Sequence, residues 1–229
     1  MTDAPASATP PPAIEAVMRE QALAVGYAPA SAREGFAALL DLDHQLASIL
    51  QSTTEPMIGQ MRLTWWYEAL EKLDREPAPA HPVLQRLADS VLPGGVRGAD
   101  LAPMIEGWEA LLDDGEALDD ERIARHAEAR GGVLFASVGR LLGQSGTAPL
   151  GRDGRRPIWR SMSPMKRPAR DRGCGFVGFG RHTGVEITKP VRGLSGLAIL
   201  ARESLRHPDR LPGHPMRAAR LAWHGLTGR

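Results

Sequence analysis

Cysteine is almost missing from this 229-residue chain, which holds one, Cys174. A single thiol closes no internal disulfide and builds no Cys-rich zinc site, so a reducing compartment is the expectation. Also missing is any apolar run near the roughly 18 residues that a membrane span requires. The opening MTDAPASATPPP lacks a basic start and an apolar stretch, so it is no secretory signal; residues 1–13 read as a disordered lead-in. Net charge is missing too. The 28 Lys and Arg residues nearly balance 27 Asp and Glu, giving +1, and that balance calls for no nucleic-acid partner. What is present is ordinary for a globular protein: 42% hydrophobic and 24% charged residues, in a chain long enough to bury a core.

Helical periodicity dominates residues 14–150, and no alternating strand pattern interrupts it. SAREGFAALLDLDHQLASIL predicts a helix opened by a capping box of Ser31 and Glu34. A second helix starts near Thr54, with Pro56 in its first turn, where the missing N–H costs nothing. Met57, Ile58, Met61, Trp65, Trp66, Ala69, Leu70 and Leu73 give it a wide apolar face. Shorter helices follow over about 83–92 and over ADLAPMIEGWEALL. A long helix runs from about Asp120 to Leu142, with Asp119 as its cap. Trp65, Leu40, Ile58 and Leu134 are expected in or near the core of an antiparallel helical array. Composition then breaks: 151–184 contains no leucine and one alanine, and nine Lys and Arg stand against Asp153 and Asp171. That stretch predicts poor packing. An out-of-frame stretch of a GC-rich gene and a divergent insert both account for it, and the coding DNA separates them. The aberrant segment extends to about 193, after which 194–229 returns to helical character.

Few residues stand out as chemistry. The stripe of the first helix runs 36, 40, 43, 47, 50, and position 43 is Asp43. A carboxylate there has to be paired, hydrated or functional; the simplest reading puts it at the edge of a narrower stripe. Asp41 lies about 200° around the helix from it, so the two cannot hold one ion. His44 reads as a surface or cleft residue. DDGEALDDE is a solvated loop with a helix cap, lacking the spacing of a calcium loop. GCGFVG matches a dinucleotide fingerprint in letters, without the strand before it or the helix after it. The basic 151–184 stretch with Trp159 reads as a solvated run. Cys174 has basic neighbours but no base partner, so it is assigned no catalysis.

YAPASAREGFAALLDLDHQLASI, then EPMIGQMRLTWWYEAL and HPVLQRLAD, together with MIEGWEALL and HAEARGGVLFASVGRLLG, resemble the squalene/phytoene synthase family over residues 14–143. The resemblance implies an all-α isoprenoid-synthase-like bundle around a central cavity, here incomplete or disrupted at about 151–184. It also implies head-to-head joining of two prenyl diphosphates, with Mg²⁺ held by two Asp-rich helical motifs. Both motifs depart from the family pattern. The first places Ala47 and Ser48 where paired aspartates belong; the second falls in 151–184, which has no acidic pair at i, i+4. The resemblance is therefore closest to the degenerate branch that includes the assembly factor of mitochondrial respiratory complex I. That branch implies no catalysis, no metal or other cofactor, and a prenyl or other apolar ligand or a respiratory-complex subunit as partner. It implies a cytoplasmic protein with peripheral contact at the inner membrane. The alternative is an active Mg²⁺-dependent prenyltransferase. Asp43, His44, Arg62, Trp65 and Trp66 are the cavity or ligand candidates.

Overall fold

The computed structural model describes residues 12–112, 119–143 and 192–227, and among them there is no strand. The order is α1 (Pro12–Gly26), α2 (Ala30–Ser52), α3 (Pro56–Lys72), α4 (Pro82–Ser90), a 3₁₀ turn at Leu92–Gly94, α5 (Gly98–Leu101), α6 (Met104–Glu109), α7 (Asp120–Leu141), α8 (Arg192–Arg206) and α9 (Pro215–Thr227). α1 has no counterpart in the sequence reading, and it already includes Pro12 and Ala13 of the expected lead-in. Residues 151–184 lie outside the described residues, and Arg192 and Gly193 open α8.

α2 is the axis of the molecule. It touches α1, α3, α4, α6 and α7, and Phe36, Leu39, Leu42 and Leu46 on it are fully buried. Each such side chain contributes about 1.5–3 kcal/mol relative to exposure. The expected capping box does not form. α2 begins at Ala30 after Pro29, with no side-chain cap, so Ser31 is already inside the first turn and cannot cap it. Elsewhere the start signals hold. Pro56 is the first residue of α3, and the Asp119 carboxylate accepts from Arg122 N–H at 2.7 Å at the head of α7. The helix expected over 99–112 is split in two at Ala102 and Pro103, because proline has no N–H to continue the ladder.

A second layer stands beside this body. α1 packs on α8 and α9, and α8 also meets α9 and α7. Its clamp is a buried ion pair: Arg217 Nε and Nη2 donate to Glu20 Oε1 and Oε2 at 2.8 and 2.7 Å. Gly213 N–H and Ser204 Oγ complete the polar set around it, so the buried charges keep their hydrogen bonds. One continuous apolar core runs from Ala24 to Leu197 and includes Leu40 and Leu134, as expected. Among the described residues no helix is long and apolar enough to cross a membrane.

Candidate functional site

Asp43 is 2% exposed, in the interior rather than at the edge of the stripe. Its charge survives there because α7 brings Arg130 against it. Arg130 Nε donates to Asp43 Oδ1 at 2.5 Å and Nη2 donates to Oδ2. Burial works against the Arg130 charge, but the carboxylate outweighs it and holds the guanidinium pKa above its ordinary value. The same guanidinium stands 5.2 Å over the Trp108 ring, a cation–π contact in a water-poor setting. Trp108 in turn meets the His126 ring edge-on at 4.7 Å. His126 Nδ1 lies 2.8 Å from Gly107 O; a carbonyl only accepts, so Nδ1 carries the proton. Burial pushes the His126 pKa down, and nearby Arg130 adds to the effect.

Next to this pair, His44 is half-buried on the same helix. Both of its ring nitrogens are buried without a hydrogen-bond partner, as is Trp108 Nε1. Burial pushes the His44 pKa down, and Asp43 and Asp41 only partly oppose this. Asp41 points another way, to Arg86 on α4, so the two aspartates of α2 occupy separate surroundings, as their angular separation predicts.

The three α3 candidates do not join them. Arg62 Nη1 donates to Thr53 Oγ1 at 3.0 Å and to Ser52 Oγ at 3.4 Å, tying α3 to the end of α2. Trp66 is 4% exposed, and its ring meets His81 edge-on at 4.9 Å. Trp65 and Ile58, expected in or near the core, are 47% and 41% exposed. α3 buries Gly59, Leu63, Trp66, Ala69 and Leu70. Met57, Met61 and Trp65, at i, i+4 and i+8, fall on the opposite side. The wide apolar face therefore divides: half is core, and half is an apolar stripe open to solvent.

Periodicity places Trp108 on the apolar side of its helix, where it is buried, but singles out neither Arg130 nor His126. A signal for Arg130 existed: it occupies the stripe of α7 otherwise formed by Ile123, Ala127, Leu134, Val138 and Leu141. An arginine in an apolar stripe needs a buried acid as much as Asp43 needs a buried base.

The donor set decides whether Mg²⁺ fits this face. Mg²⁺ takes carboxylate oxygens at close range, and here Asp41 and Asp43 are each neutralised by a guanidinium. Ala47 and Ser48 offer no carboxylate. Among the described residues no three His, Cys, Asp or Glu side chains are grouped to hold a metal. The α2 face does not fit the ion.

Compared with known protein families, residues 14–162 match squalene/phytoene synthase. The chain belongs to the squalene/phytoene synthase family. The match runs from the third residue of α1 through α7, so both helices of the Asp43–Arg130 pair and the α3 stripe lie on the family's own framework. No curated protein and no solved structure gives a significant match.

Proposed function

We propose that this squalene/phytoene synthase homologue has kept the helical body and given up prenyl transfer, and acts as a binding or assembly factor. The observation that carries the reading is the Asp43–Arg130 pair. Ionising a diphosphate needs carboxylates free to hold Mg²⁺ against the leaving group. On α2 the acids are spent on arginines, and positions 47 and 48 are Ala and Ser. The stripe of Met57, Met61 and Trp65 supports the binding half of the proposal, because exposed apolar patches mark interaction surfaces. Resemblance to the respiratory assembly factor supports a respiratory-complex subunit as the partner.

Incubation of the full chain with Mg²⁺ and farnesyl or geranylgeranyl diphosphate, followed by product analysis, tests the reading. Neither a coupled prenyl product nor diphosphate release should appear. Steady Mg²⁺-dependent diphosphate release that disappears in Asp43→Ala would overturn it in favour of an active prenyltransferase.

A further inference from the structure

α9 is apolar on the wrong side for a helix at a water-exposed surface. Arg217, Leu221 and His224 face inward. On a surface helix the opposite side should be polar. Here it holds Met216, Trp223 and Leu226, which are 54%, 62% and 78% exposed. Ala219 and Ala222 lie between them and are exposed as well. At 100° per residue these five positions form one outward arc of about 120°. Leu211, just before the helix, adds a further apolar side chain at 72% exposure. α9 itself contains no acidic residue.

The surroundings are basic. Residues 192–227 contain Arg192, Arg202, Arg206, Arg210 and Arg220, besides the buried Arg217 that Glu20 already neutralises, against only Glu203 and Asp209. Glu203 is 2% exposed and is already shared by Arg210, Arg220 and His207. Burial, together with the charges of Arg206 and Arg220, pushes the Arg202 pKa below its ordinary value. Guanidinium groups crowded this closely favour an anionic neighbour.

A second copy of the chain fits poorly. A two-fold interface sets the same patch against itself, and the arginines beside it would meet arginines. A lipid surface fits both features. Apolar side chains enter the boundary of the acyl region, tryptophan favours the interface, and arginines meet anionic headgroups. We propose that the outer face of α9, with the arginine cluster beside it, is a docking surface for an anionic membrane. This proposal stands apart from the reading of Asp43: a protein that bound vesicles and also turned over prenyl diphosphates would keep the one and lose the other.

The test is co-sedimentation of the full chain with phosphatidylcholine vesicles and with the same vesicles containing phosphatidylglycerol. Binding should require phosphatidylglycerol and weaken as salt is raised. Trp223→Ser with Leu226→Ser should weaken it at least about tenfold. These side chains are exposed, so the thermal melt should stay in place. Arg206→Gln and Arg220→Gln should each cost about fivefold, the equivalent of about 1 kcal/mol per charge at an anionic surface. No binding to anionic vesicles overturns the proposal, as does equal binding to neutral ones. So does binding that survives in the folded Trp223→Ser, Leu226→Ser variant. If sedimentation equilibrium shows that variant dissolving a dimer while vesicles bind neither form, the face is a protein interface and the membrane assignment is wrong.

Discussion

At the scale of single residues, Asp43 and Arg130 make each other necessary. Removing one leaves the other charged and buried, which costs about 3–5 kcal/mol. Urea unfolding of Asp43→Ala should show a loss of that size, and the double variant Asp43→Leu, Arg130→Met should recover most of it. A double variant as unstable as the single one would show that the pair is not the cause. The histidines add a pH dependence. Burial holds the pKa values of His44, His81 and His126 below the ordinary 6.5. Below about pH 6.5 the unfolded chain therefore takes up protons that the folded chain refuses. The stability given by the neutral rings is full above that pH and is lost as pH falls towards the lowered folded values. The urea midpoint should drop between about pH 7.5 and about pH 5.5, and drop less in His44→Gln. A flat midpoint would contradict the assignment. The anomaly at Asp43 was legible in the sequence because a core acid breaks a stripe. Its partner was not read, because Arg130 lies 87 positions away and periodicity relates only neighbours on one helix.

At the scale of elements, α6 is a short helix that owes its position to close approach. A Cβ on Gly107 would stand 2.8 Å from Arg130 N and 3.1 Å from Ala129 Cβ, and the nearest of these is backbone. α6 rests directly on α7, and this contact lets Gly107 O reach His126. Gly107→Ala should force the helices apart and destabilise the fold by about 1–3 kcal/mol, readable as a lower urea midpoint. An unchanged midpoint would mean that α6 shifts freely. The existence of most helices was legible from apolar spacing, Pro56 and Asp119. The orientation of α3 was not. Its apolar residues cover two sides, so spacing alone could not say which tryptophan faces inward. Neighbouring elements decide it: α5 and α6 pack on α3 against the side bearing Leu63 and Trp66, and Trp65 is left outside.

At the scale of the whole molecule, the fold class was legible throughout, while the division into two layers was not, because it depends on α1 pairing with α8 and α9. The open stripe on α3 gives the body an apolar surface in its native state. A hydrophobic dye such as anilinonaphthalene sulfonate should fluoresce with the folded protein, and less with Met61→Ser, Trp65→Ser, whose melting temperature should barely move. Equal fluorescence from that variant would place the dye elsewhere. The Glu20–Arg217 clamp has a consequence for synthesis. Its two residues are separated by 197 positions. At about 5–20 residues per second, α1 leaves the ribosome roughly ten to forty seconds before its guanidinium partner exists. Through that interval α1 can rest on α2 but lacks the α8 and α9 surfaces that it packs against in the native fold. A ribosome that stalls before α9 would release a polypeptide whose first helix keeps a carboxylate meant for burial, marking the fragment for proteolysis rather than assembly.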